Sequence, residues 1–381
     1  MKSFDSDNPK AKTRVAVLFG GRSAEHEVSL QSAANVIKYL DSSRFEVVPI
    51  GIDKSGRWFL GQDVFQQSLT HQKVPQLTNA WFTPEWIGTP TRAATQHELI
   101  KDDGKPLFDV IFPVVHGQFC EDGCLQGLLE LADLPYVGSG VLASAVGMDK
   151  DISKRLAKAA GFNIPSYLTV KIDQWVNNEE AISHTINQKL DYPLFVKPAN
   201  TGSSIGITKV KQGNELKIAM DLAFQFDTKV IIEKALDVVE LEVAVLESIE
   251  NDQHPIVSLV GEIKSRHEFY SYDAKYLDVK GAELLIPAPI PESIKQKAQA
   301  AAKQLFLLLE CEGMARIDLF LNKHDQQIYF NEINTIPGFT RISMYPKLME
   351  ASGVSYPTLL THLIELAFKR FQQKSKLKRQ Y

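Results

Sequence analysis

Two neighbouring segments late in the chain carry the densest set of reactive groups. Residues 314–321 read M-A-R-I-D-L-F-L and residues 328–335 read I-Y-F-N-E-I-N-T. Strand side chains alternate faces, so Arg316, Asp318 and Phe320 share one face, as do Phe330, Glu332 and Asn334. A turn centred on Asp325 puts Phe320 opposite Phe330, Asp318 opposite Glu332 and Arg316 opposite Asn334. Carboxylates facing each other across a ladder repel. A divalent cation removes that cost, and Asp, Glu and Asn are hard oxygen ligands suited to Mg2+ shared with nucleotide phosphates. The competing reading is a solvated polar face balanced by Arg316.

Three other segments contain groups that suit a ligand. Residues 197–206 read K-P-A-N-T-G-S-S-I-G; small residues let backbone N–H groups wrap a phosphate while Lys197 supplies charge. The P-loop pattern is absent, and a plain hairpin turn is the alternative. Residues 116–124, H-G-Q-F-C-E-D-G-C, follow a buried strand, where α/β sheets place ligands. Zinc binding by His116, Cys120 and Cys124 is disfavoured because the paired CxxC spacing is missing. Residues 20–27, G-G-R-S-A-E-H-E, sit at the first strand–helix turn without the dinucleotide fingerprint. Glu25 there suits either a helix-start acid or a ligand for a substrate ammonium.

These segments need rigid elements to hold them. Residues 14–19 (RVAVLF), 45–52 and 108–115 read as buried strands, with helices over 24–40 and 123–131, implying a parallel sheet covered on both faces. Residues 54–105 read as an irregular insertion. A helix over 149–160 opens a small α+β unit with strands at 193–197 and 230–235 and a helix over 214–224. Strands at 241–246, 256–260, 314–321 and 328–331, a helix over 292–309 and a terminal helix make a third region. The resulting division is 1–13 (a disordered lead), 14–148, 149–236, 237–368 and a basic tail over 369–381, expected to be a solvated helix end.

The bulk numbers agree with a globular protein. The 381 residues suit two or three subdomains, with 44% hydrophobic and 23% charged side chains. A net charge of −4 argues against a general nucleic-acid binder. No apolar run is long enough for a membrane span, and the polar start lacks a signal-peptide core. Three cysteines suit a reducing compartment, so the cytoplasm is expected.

Taken together and in order, VLFGGRSAEHEVSL, VVHGQFCEDGCLQG, GSGVLASAVGMDK, FVKPANTGSSIG, IIEKAL, SYDAKYLD, RIDLFL and NEINTIPGFTRISMYP resemble the D-alanine–D-alanine ligases of the ATP-grasp superfamily. The resemblance implies an α/β architecture with α+β subdomains: an N-terminal Rossmann-like domain and an ATP-grasp unit holding ATP between two sheets. It implies ATP-dependent joining of two D-alanines through an acyl phosphate for peptidoglycan precursors, by a homodimer using two Mg2+ ions, with Mn2+ able to substitute. A relative making D-alanyl-D-lactate or another D-alanyl product is the alternative.

The same resemblance implies roles by position. Lys150 and Lys197 bind ATP phosphates, with Ser204 in the phosphate loop; Glu233 contacts adenine and Glu240 the ribose. Lys275 reaches the γ-phosphate, and Asp318, Glu332 and Asn334 hold the metal. Glu25 receives the first ammonium and partners Ser203 and Tyr276, with His116 nearby. Arg316 and the Gly338 N–H stabilise the tetrahedral intermediate. Ser343 and Met344 receive the second carboxylate. Cys120 stands where the family usually has glycine, which puts the local turn geometry in question.

Overall fold

Strand β1 (Thr13–Gly20) is fully buried from Val15 onward, as its unbroken apolar run requires when helices cover both faces. The computed structural model describes residues 12–60, 81–82, 107–250, 254–265 and 282–378. Helix α1 (His26–Tyr39) carries the chain across to β2 (Phe45–Ile52), which pairs parallel with β1. The short strand β3 (Trp58–Leu60) adds antiparallel to β2 and β4 (Trp81–Phe82) antiparallel to β3, and β5 (Val110–Pro113) closes the other side of β1 in parallel. The expected insertion is therefore not wholly irregular: two pieces of it extend the first sheet. Its residues 61–80 and 83–105 lie outside the described residues, as does the 1–11 lead.

Helices α2 (Cys124–Leu131), α3 (Val141–Met148) and α4 (Lys150–Ala159) follow. Asp149 caps α4 by accepting from the Asp151 and Ile152 amides at 3.0 and 3.1 Å, satisfying donors that no earlier turn can reach. A second, antiparallel sheet runs β6–β9–β7–β8, formed by β6 (Tyr167–Lys171), β7 (Leu194–Pro198), β8 (Thr208–Val210) and β9 (Lys229–Lys234). Helices α5 (Ile172–Lys189) and α6 (Leu216–Ala223) bury Trp175, Ile186, Leu216 and Met220 against it.

The third sheet runs β12–β11–β10–β13–β14, all antiparallel. Its strands are β10 (Val238–Leu246), β11 (Ile256–Ser265), β12 (Ala282–Leu285), β13 (Met314–Asn322) and β14 (Ile328–Asn334). Helix α7 (Glu292–Leu308) and α4 cover one face, where Ile317, Leu319, Leu321 and Phe330 form a core with Ala157, Ala298 and Phe306. Helices α8 (Met344–Ala351) and α9 (Tyr356–Ser375) pack Leu348, Leu360 and Leu363 into one core with Val17, Val36 and Phe112 of the first sheet and α1. That shared core holds the first and third sheets in fixed relation. Among the described residues, no helix is long and apolar enough to cross a membrane.

Two expectations are corrected. Arg316 does pair with Asn334 and Asp318 with Glu332, but Phe320 faces Tyr329 and Phe330 faces Leu319. One extra residue, Asn331, is accommodated as a bulge, and it turns Phe330 into the core while Glu332 and Asn334 stay on the cleft side. The basic stretch beginning at residue 369 is not simply solvated. Arg370 lies 4.2 Å from the Tyr136 ring centroid and donates to the Tyr136 carbonyl at 2.7 Å. Lys369 donates to the Ile249 carbonyl at 3.1 Å, and Lys374 pairs with Glu130.

Candidate active site

Two clefts meet over the exposed face of the third sheet. The larger, of about 930 Å3, lies between the second and third sheets, with Lys197, Ser204, Glu233, Glu240 and Asp318 on its walls. That volume is within the range of small-molecule sites. The smaller, of about 130 Å3, has Glu25, His116, Ser203, Arg316 and Asn334 on one side and Gly338, Ser343 and Met344 on the other. Lys150, Glu242 and Glu332 line both. A group bound in one cleft can therefore react with a group bound in the other.

The strand register builds a row of three carboxylates. Glu242 on β10 faces Asp318 on β13, which faces Glu332 on β14. Arg316 balances one end: its guanidinium forks onto both Asp318 oxygens at 2.7 Å and reaches Glu242 at 3.1 Å. Lys150 balances the other, 3.1 Å from Glu332 while donating to the Thr201 carbonyl at 2.6 Å. Burial disfavours charge on Arg316, but Asp318 and Glu242 outweigh it and keep the guanidinium firmly protonated.

Behind the larger cleft, Lys197 and Lys154 clamp Glu233 at 2.8 and 2.9 Å. Burial pushes the Glu233 carboxyl upward, yet the two lysines prevail and hold it at about 2. Ser203 and Ser204 are both left-handed (φ 50° and 59°), followed by Gly206 at 70°. Such a run of turned amides makes a concave donor surface. Across the smaller cleft, Ser203 donates a hydrogen bond to Glu25, which sits at the N-cap of α1. Side chains at residues 117 and 202 would collide with that carboxylate: a Cβ there would lie 2.8 and 2.9 Å from Glu25 Oε2. Ser343 sits at the N-cap position of α8 and accepts from the Thr340 amide at 3.0 Å, and a Cβ on Gly338 would lie 2.7 Å from its Oγ. The open N-terminus of α8 favours an anion.

Residues 14–139 match the family described as "D-ala D-ala ligase N-terminus", and residues 156–365 match "D-ala D-ala ligase C-terminus". The chain belongs to the D-alanine–D-alanine ligase family. Among its relatives, D-alanine–D-alanine ligase A of Bradyrhizobium diazoefficiens is 47% identical, over 97% of this chain and 99% of its own length. The corresponding protein of Escherichia coli K12 is 46% identical, over 96% and 99%. The solved D-alanine–D-alanine ligase from Coxiella burnetii superposes with a TM-score of 0.76 at 35% identity, covering 96% of each chain. The VanG D-Ala:D-Ser ligase from Enterococcus faecalis gives 0.77 at 37%, covering 94% of this chain and all of that one. The α/β ATP-grasp architecture expected from the resemblance is the one present.

Every residue to which the resemblance gives a role lies at one of the two clefts, except Lys275 and Tyr276, which lie outside the described residues. Asp318, Glu332 and Asn334 suit a shared divalent cation. Asn334 Oδ1 is buried and has no hydrogen-bond partner, a cost that a cation would remove. Among the described residues no cluster of three or more His, Cys, Asp or Glu forms a prebuilt metal centre. Cys120 keeps an ordinary negative φ; the left-handed residue is its neighbour Phe119 at 66°. Cysteine therefore fits without backbone strain, buried beside Gly21.

Sequence reasoning missed Glu121, Lys154 and Glu242. Lys154 is one helical turn beyond Lys150, and Glu242 is two strand residues beyond Glu240, so periodicity alone offered a signal for both. His116 turns out to be a brace. Its Nδ1 donates to the Ile336 carbonyl at 3.1 Å, and its Nε2, 3.2 Å from Ser32 Oγ, accepts from that hydroxyl. Ser32 also receives the Phe339 amide at 3.2 Å, so a neutral imidazole satisfies the whole chain of bonds and fixes the loop carrying Gly338. Burial, against the pull of the Ile336 carbonyl, lowers the His116 pKa to about 4.

An unfolded histidine titrates near 6.5, so between these values the unfolded state binds a proton that the folded state refuses. Stability from His116 is thus fully present above pH 6.5 and drains as pH falls towards 4, by about 3 kcal/mol. Urea titrations at pH 7 and 5 should show a steeper acid loss for the wild type than for His116→Asn. Equal slopes would mean that the ring takes up its proton as readily in the folded as in the unfolded chain.

Proposed function

We propose that this chain uses ATP to join two D-alanine molecules into D-alanyl-D-alanine, releasing ADP and phosphate. The observation that carries the reading is the junction of the two clefts at Lys150, Glu242 and Glu332. There a γ-phosphoryl group held from one side meets a carboxylate held from the other.

In this reading Lys150, Lys197 and the amides around Ser204 hold the phosphates in the larger cleft, with Glu233 beside adenine, Glu240 at the ribose and Lys275 at the γ-phosphate. Asp318, Glu332 and Asn334 hold Mg2+, for which Mn2+ substitutes, and the cation supplies neutralisation of phosphate charge. Glu25, oriented by Ser203 and Tyr276, takes the ammonium of the first D-alanine; its carboxylate then faces the phosphoryl group and becomes an acyl phosphate. Ser343 and the α8 N-terminus at Met344 bind the second carboxylate, directing its amine at the acyl carbon. Arg316 and the Gly338 N–H donate to the oxygen that gains charge in that attack. Closure of the phosphate loop excludes water from an intermediate that would otherwise hydrolyse.

The family resemblance further supports a cytoplasmic homodimer that serves peptidoglycan precursor synthesis. The three sheets support division into units 14–148, 149–236 and 237–368, although α4 packs beneath β14 of the third. The test is incubation of the purified protein with ATP, Mg2+ and D-alanine, with the dipeptide sought by mass and phosphate measured in parallel. Phosphate release without dipeptide, or neither, would overturn the reading.

The similarity to VanG, whose name pairs D-Ala with D-Ser, makes the second substrate the point to examine. By the family resemblance, tyrosine at 276 partners the Glu25–Ser203 pair with a hydroxyl that phenylalanine lacks. Tyr276→Phe should keep ligase activity and gain D-lactate as second substrate, most visibly at lower pH where the competing amine is protonated. Product masses from mixed D-alanine and D-lactate across a pH series measure it. Equal depsipeptide output from both proteins would remove Tyr276 from specificity.

A further inference from the structure

Glu121 is a buried carboxylate in the smaller cleft for which the mechanism above has no use. It is 6% exposed. Its Oε1 accepts the Gly117 amide at 2.9 Å, while its Oε2 is buried without a hydrogen-bond partner and the side chain lines the cleft. Glu25 flanks the same glycine: its Oε2 would lie 2.8 Å from a Cβ at residue 117. Two carboxylates thus converge on one side chain-free position, and only one of them, Glu25, receives a hydroxyl donor there. A buried oxygen with no partner, beside a second carboxylate, fits a cation that both can share.

We infer that Glu121 is a second carboxylate of the ammonium site for the first amino acid, neutral in the free enzyme and ionised when the ammonium arrives. This rests on the ligase reading above and deepens it. Burial and the neighbouring Glu25 raise the Glu121 pKa well above the ordinary carboxylate range, and the Gly117 amide, Lys150 and Arg316 only partly offset them. The other charged groups of the cleft among the described residues, Glu242 and Glu332, are acids and oppose ionisation too. On Glu121's own segment Asp122 adds a further negative charge, Cys120 stays a thiol, and His116 is neutral at pH 7. An ammonium at contact distance reverses the balance in favour of the carboxylate. The step conserves charge: the carboxylic acid and substrate ammonium become a carboxylate–ammonium pair, and one proton leaves to solvent.

Binding should therefore release a proton that a passive turn-bracing carboxylate would not release. The experiment is calorimetric titration of D-alanine into the enzyme with Mg2+ and a non-hydrolysable ATP analogue, in buffers of differing ionisation enthalpy at pH 7. The wild type should release about one proton more per D-alanine than Glu121→Gln, which keeps the Gly117 bond. Its affinity should rise by up to about tenfold per pH unit below the Glu121 pKa, and that slope should flatten in the variant. Difference infrared spectra on wild type alone should show a protonated-carboxyl band vanish on D-alanine addition. A persistent band, or equal proton counts in the two proteins, overturns the inference. Absence of any D-alanine binding by the wild type instead overturns the ligase reading itself.

Discussion

Glu332→Gln is expected to lower kcat by at least about 10²-fold, the scale of losing one well-placed electrostatic group in a dry site. Glu332 faces Asp318 across the β13–β14 ladder, receives Lys150 at 3.1 Å and stands at the junction of the two clefts. Glutamine preserves its shape and removes its charge, so the proposed Mg2+ ligand set loses a carboxylate while packing stays intact. The Mg2+ concentration for half-maximal rate should rise with the fall in kcat. Stability should change little, because loss of the Lys150 pair is offset by relief of repulsion from Asp318. Steady-state rates across a Mg2+ series, with a thermal melt as control, measure this. Near wild-type turnover at ordinary Mg2+ would remove Glu332 from the metal site.

Arg316 should be costlier still, because the proposed mechanism uses the same guanidinium that balances the sheet. It is the cation that balances Asp318 and Glu242. Arg316→Met strands two poorly solvated acids side by side and should destabilise the protein by about 3–5 kcal/mol, the range for breaking one partner out of a buried pair. Arg316→Lys separates the two roles. Lysine keeps a charge near the acids but lacks the planar fork that meets both Asp318 oxygens at 2.7 Å. It should fold with a modest loss and still lower kcat by about 10²–10³-fold, with little change in KM for ATP. Chemical denaturation and steady-state kinetics on the two variants separate the effects. A lysine variant within a few-fold of wild-type kcat would mean that Arg316 only stabilises the sheet.

Much of this site was legible without coordinates because its parts are short and local. Strand alternation placed Arg316 and Asp318 on one face and set Asp318 against Glu332, since those pairings need only two neighbouring strands and a turn. The charged helix expected over 149–160 is likewise present, as α4 with Asp149 at its cap. The family motifs then joined the pieces in order.

What local pattern did not reach was decided by contacts far apart in sequence. The bulge at Asn331 arises where the Phe330 amide bonds the Asn163 carbonyl at 2.8 Å and the Phe330 ring joins a core with Phe306; no turn rule includes either partner. Arg370 looked like a solvated helix end because its acceptor, the Tyr136 carbonyl, is 234 residues away. Glu121 looked like one acid in a loop, yet its burial beside Glu25 exists only once β1 and β5 lie parallel and present their carboxyl-end turns together. Periodicity and spacing determined which side chains could point the same way. The docking of three sheets determined which of them share a low-dielectric pocket, and burial together with neighbouring charge sets the protonation of each group there.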